Sequence, residues 1–93
     1  MGRRAARVDQ NQREIAAALR KVGASVQHLH TVGKGCPDLL VGIRGRNLLM
    51  EVKMPNEDLN QEQQDWRLMW MGQSCIVRSP AEAIAAAAIM GQP

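Results

Sequence analysis

Asp38 follows Pro37 in Gly35-Cys36-Pro37-Asp38, and Glu51 and Lys53 stand one residue apart in Leu49-Met50-Glu51-Val52-Lys53. Two apolar runs lie between them, separated by Arg44-Gly45-Arg46-Asn47. Two carboxylates brought together repel as bare anions, and each raises the other's affinity for a proton. A hard divalent cation removes that conflict, and oxygen-only ligation by few protein carboxylates suits Mg2+ or Mn2+. Such a cation polarises a phosphoryl oxygen, helps ionise water and stabilises a leaving oxygen. A lysine on the same face orients the attacking water and offsets charge developing on the phosphate. Pro-Asp and Glu-x-Lys are each common by chance, and a plain salt bridge to Asp38 is the alternative role for Lys53. A carboxylate opening one strand, with Glu-x-Lys closing its partner, is far more specific to phosphodiester hydrolysis.

That chemistry requires a β-hairpin of the right register. The sequence predicts strands at 38–43 and 48–53 around a turn at 44–47, with Pro37 ahead of the first strand because it cannot donate to a ladder. Alternation places Leu39, Val41 and Ile43 with Leu48, Met50 and Val52 on a core-facing side. Asp38, Leu40 and Gly42 then share the other face with Leu49, Glu51 and Lys53. Paired residue numbers must therefore add to an odd value. A Gly45-Arg46 turn sets Asp38 opposite Lys53, whereas an Arg44-Gly45 turn sets it opposite Glu51. Both registers gather the charged groups at the end away from the turn; an even register would separate Asp38 from Glu51.

The flanking elements are legible from caps and periodicity. Asp9 with Gln12 resembles a capping box, and Ile15, Ala18, Leu19 and Val22 form one stripe of a helix that Gly23 ends. Arg13 and Arg20 point away from that stripe. Glu14 lies on its rim, a common surface position and also one from which a helix can offer a ligand to a site beside the sheet. A short strand is expected over Ser25–His30, with His28 and His30 on the face of Val26; exposed histidines without a role are commoner there than phosphate contacts or acid–base groups. Lys34, in a glycine-flanked loop, can reach a DNA backbone. Asn60 reads as an N-cap with Gln63 at the third helical position, in a helix over 61–71. Gln63 shares a face with Trp66 and Trp70, so it either completes the cap or reaches inward to a polar site. Leu68 and Met71 on the other side make a candidate subunit contact, or plain exposed apolar surface. A strand over 74–78 and a helix opened by Ser79-Pro80-Ala81-Glu82 complete the order α-β-β-β-α-β-α.

Composition bounds the rest. With 93 residues, 45% of them hydrophobic and 23% charged, the chain supports one folded domain rather than disorder. We divide it into a basic N-terminal segment, 1–8, and a single domain, 9–93. Phe and Tyr are absent, so the core must come from aliphatic residues, methionine and alanine. A core this modest favours a homodimer. The net charge of +3 is concentrated early, where Arg3, Arg4 and Arg7 make a flank suited to a polyanion; Arg44 and Arg46 are further candidates for DNA contact. Cys36 and Cys75 form neither a disulfide framework nor a metal-ligand spacing. No stretch has transmembrane length and no apolar signal core follows Met1, so the expected compartment is the cytoplasm of a bacterial or phage-infected cell, with no membrane partner and no organic cofactor.

Together, Gly35-Cys36-Pro37-Asp38, Leu49-Met50-Glu51-Val52-Lys53, Leu59-Asn60-Gln61-Glu62-Gln63-Gln64-Asp65-Trp66 and Val77-Arg78-Ser79-Pro80 resemble the virus-type replication-repair nuclease (VRR-NUC) domain. That family belongs to the PD-(D/E)xK nucleases, whose restriction-endonuclease-like core is a mixed α/β sheet flanked by helices. The likeness covers roughly residues 9–89. It implies that Glu14, Asp38 and Glu51 ligate the metal, that Lys53 is the catalytic lysine, and that the family's glutamine falls on Gln63. Gln61 stands where the family often has proline, and either residue can begin a helix. The likeness further implies a homodimeric, structure-selective DNA endonuclease acting on branched DNA such as four-way (Holliday) junctions. Flap or nicking activity, a binding module without catalysis, and a structural partner in a larger complex are the alternatives.

Overall fold

The computed structural model describes residues 3–90, with side-chain surroundings from residue 9 onward. Its elements are α1 (Arg3–Lys21), β1 (Ser25–His28), β2 (Leu39–Ile43), β3 (Arg46–Val52), α2 (Gln61–Met69), β4 (Ser74–Val77) and α3 (Pro80–Met90). This is the expected order. The strands form one mixed sheet, β1-β2-β3-β4, antiparallel except for the parallel β3–β4 pair that α2 connects.

The hairpin turn decides between the two registers. Arg44 and Gly45 both have positive φ, at 53° and 77°, as a two-residue type I′ turn requires. Leu39 consequently pairs with Met50, Val41 with Leu48 and Ile43 with Arg46. One further step sets Asp38 across from Glu51. Leu39, Val41, Leu48, Met50 and Val52 face the core, where Ile15 and Leu19 of α1 and Ala83 and Ala87 of α3 cover them. Small alanines on α3 let that helix approach closely, consistent with a core that lacks phenylalanine and tyrosine.

Two expectations for α1 need correction. Asp9 is not an N-cap, because the helix already runs from Arg3. Residues 3–8 contain no glycine or proline and consist mostly of good helix formers, so nothing stops the helix extending. Val22 does not join the buried stripe and is 48% exposed. Gly23, at φ 95°, ends α1 in a Schellman arrangement: its N–H donates to the Arg20 carbonyl and the Ala24 N–H to that of Leu19. That closure turns Val22 outward and buries Ala24 instead. β1 also stops at His28, two residues short of the expected end.

Candidate active site

Glu51 and Lys53 are the two buried charged residues among those described, at 3% and 6% exposure. Burying charge is costly unless it is compensated, so their surroundings carry the functional information. Asp38 is fixed from both sides, by β3 and by the residue that follows β1. Its Oδ2 accepts the Val52 N–H at 2.8 Å and its carbonyl accepts the Leu29 N–H at 2.8 Å. Glu51 shares a hydrogen bond with Asp38, and its carboxyl is pushed up to about 9. Burial is the main cause; the hydrogen bond to Asp38 and the charge of Asp38 add to it, Lys53 opposes it, and Glu57 adds a smaller rise. Without a cation, the carboxylate pair therefore retains a proton at neutral pH.

Gln63 performs both of its expected roles. Its Oε1 accepts the Asn60 N–H at 3.0 Å while Asn60 Oδ1 accepts the Gln63 N–H at 2.9 Å, closing the capping box of α2. Its Nε2 donates to Glu51 Oε2 at 3.3 Å. Gly35 makes that placement possible. It has φ 80°, and a Cβ there would lie 2.6 Å from the Glu62 carbonyl carbon, inside the first turn of α2. The loop before Asp38 and the helix bearing Gln63 thus meet at a point with no room for a side chain.

Lys53 extends the β3–β4 ladder through its N–H to the Val77 carbonyl at 3.0 Å. Its ammonium lies 3.7 Å from Glu57 Oε2. The structure therefore gathers Asp38, Glu51, Lys53 and Gln63 at one end of the hairpin. Glu14 is not brought to them: it is exposed on α1 and its Oε1 accepts the Gln10 amide at 3.0 Å. No group of three His, Cys, Asp or Glu side chains placed to hold a metal occurs among the described residues. Glu14 therefore joins no such group, although Asn11, three residues before it on α1, bonds the Lys53 carbonyl.

The remaining candidates lie elsewhere. Arg44 and Arg46 stand at the turn, a five-residue strand away from Asp38, or roughly 17 Å at strand rise. His28 and His30 line a separate cleft with Asp9, Gln12 and Arg13, between α1 and the end of β1. Lys34 lines a cleft against α2 with Trp66 and Trp70, whose rings stack at 4.8 Å. Arg3, Arg4 and Arg7 lie outside the residues whose side chains are described. Two contributors had no clear sequence signal. Asn11 donates to the carbonyls of Lys53 and Arg78, at 3.2 and 3.4 Å, and Glu57 sits in what read only as a loop.

A family model described as the VRR-NUC domain matches residues 3–84. The chain belongs to the VRR-NUC family. It is thereby a nuclease domain of the PD-(D/E)xK type, and the match begins earlier than residue 9, in keeping with the start of α1. A solved structure titled as a VRR_NUC domain superposes with a TM-score of 0.72 at 22% identity, over 87% of this chain and 94% of the other, which shows a shared VRR-NUC fold. No curated protein matches the chain. No helix among the described residues is long and apolar enough to cross a membrane.

Proposed function

We propose that this VRR-NUC domain is a metal-dependent, structure-selective DNA endonuclease that cuts four-way junctions as a homodimer. The observation that carries the reading is the Asp38–Glu51 pair, held by Gln63 beside a buried Lys53. Asp38 and the raised Glu51 carboxyl make an all-oxygen donor set that fits Mg2+ or Mn2+, with water filling the remaining positions. Asp38 and Glu51 would hold that cation, which when bound supplies Lewis acidity toward a phosphoryl oxygen. Gln63 keeps Glu51 Oε2 oriented. The Val52 N–H fixes one oxygen of Asp38 and leaves the other turned to the pair. Lys53 orients the attacking water and offsets charge on the phosphate as the new P–O bond forms and the strand's P–O bond breaks.

Dimerisation is supported by the end of α2. Leu68 and Met69 at that end, and Met71 just beyond it, are 82%, 80% and 95% exposed, and large exposed apolar side chains close in sequence are of the kind that marks contact surfaces. A two-fold dimer presents two sites of opposite orientation, as symmetric cutting of a junction demands. The test compares cleavage of a labelled four-way junction, a flap and linear duplex, with Mg2+, with chelator, and for Asp38→Ala. Junction cutting that vanishes with chelator and in Asp38→Ala, while junction binding persists, supports the reading. Equal cutting in all samples, or preference for linear duplex, refutes it.

A further inference from the structure

Lys53 is held from both ends. Its backbone N–H is fixed by the Val77 carbonyl, and its own carbonyl accepts the Asn11 amide. Its side chain is flexible by nature, a compact charge on a four-carbon stem, and Asp38 and Glu51 are natural partners for it. Yet among the described residues its ion pair is with Glu57, at 3.7 Å, and with neither Asp38 nor Glu51. The pair is largely shielded, with side-chain exposures of 7% and 15%.

Glu57 is itself locked in place. Its Oε1 accepts the Met54 N–H at 2.9 Å and its N–H donates to the Met54 carbonyl at 3.0 Å, closing the turn that follows β3. The Arg78 guanidinium donates to the Glu57 carbonyl at 3.0 Å, and Asn11 joins the Arg78 carbonyl to that of Lys53. Such a network is more than a surface loop needs.

We infer that Glu57 is a positioning residue: its carboxylate draws the Lys53 ammonium to one side, leaving Asp38 and Glu51 available to a cation and keeping the lysine aimed at the phosphate. This rests on the nuclease reading above.

Glu57→Gln keeps the acceptor for the Met54 N–H and the side-chain volume but removes the charge. The turnover rate for junction cleavage should fall by about tenfold or more, the usual range for partners that orient a reacting group. Junction affinity measured in Ca2+ should stay at its native value, while the melting temperature of the metal-free protein should fall, because a buried Lys53 loses its paired charge. Glu57→Asp should restore part of the rate. In the double variant with Lys53→Met, cleavage should fall no further than in Lys53→Met alone, because Glu57 acts through Lys53. Native turnover in Glu57→Gln, or an independent further loss in the double variant, overturns the inference. If Lys53→Met itself cuts at the native rate, the nuclease site as proposed fails, and the inference with it. An inactive Lys53→Met beside a fully active Glu57→Gln condemns the inference alone.

Discussion

Replacing Gly35 with alanine places a methyl group 2.6 Å from the Glu62 carbonyl carbon and 3.0 Å from the Gln63 nitrogen, and closer still to the Glu62 carbonyl oxygen. Ordinary contacts of this type lie at 3.4–4 Å. All three obstructing atoms are backbone, so no side chain can swing aside. The helix or the loop must therefore retreat by roughly 1 Å, a displacement that can cost on the order of 100-fold in rate when it misplaces reacting groups. No residue of α2 is buried, so moving α2 meets less resistance than moving the Pro37–Asp38 segment, where Pro37 is fully buried. Gln63 moves with α2, and its 3.3 Å bond to Glu51 is already near the limit of a hydrogen bond. The φ of 80° adds about 1 kcal/mol of strain for any residue with a Cβ. We expect a stability loss of only about 1–2 kcal/mol by urea unfolding, but a fall of about 10- to 100-fold in junction cleavage at saturating Mg2+. Native turnover in folded Gly35→Ala would show that the loop–helix contact does not set the site.

Other outcomes follow from the same geometry. Glu51 binds a proton more tightly folded than unfolded, its carboxyl rising from 4.5 to about 9, so its contribution to stability is full below about 4.5 and is lost as pH rises toward 9. The melting temperature of metal-free protein should thus fall across that window and flatten in Glu51→Gln, while Mg2+ affinity rises because binding releases the proton. A flat native profile would contradict this. Asn60→Ala removes the cap of α2 at a local cost of about 1 kcal/mol; cleavage should fall while the global melting temperature barely moves, since no residue of α2 is fully buried. Arg44→Asn relaxes a positive-φ turn position and should stabilise the protein by ~0.5–1 kcal/mol in urea unfolding. Glutamates at Leu68 and Met71 should yield monomers by light scattering and abolish paired cutting of junctions, whereas dimers that persist would place the interface elsewhere.

The hairpin was readable because alternation is a local signal: Leu39, Val41, Leu48 and Met50 announce one buried face whichever register is chosen. The register itself was not, because arginine gives no hint of positive φ, and only the folded turn selects Arg44-Gly45. The caps at Asn60 and Ser79 were legible for the same local reason, and the Glu82 N–H indeed donates to Ser79 Oγ. Asp9 misled because a cap motif inside a run of helix formers does not interrupt it. Glu14 depended on which way α1 faces once docked, a tertiary fact. Gly35 acts through α2, which is remote from it in sequence, and Glu57 through a lysine four residues back whose pairing a loop-like stretch does not announce, so their sequence context says only loop and turn.

One feature of Gln63 limits what could ever stand in its place. Its amide presents an oxygen to the Asn60 N–H and a nitrogen to Glu51. A glutamate would serve the first contact but bring a third negative charge to the carboxylate pair, and a lysine would serve the second but abandon the cap. Asparagine offers both functions on a stem one methylene shorter. Start of helix and orientation of an acid are therefore written into a single uncharged side chain, so on the proposed reading fraying of α2 at its first turn would disarm the nuclease. Any partner that unwinds or stabilises that turn would act as a switch on cutting, from outside the substrate cleft.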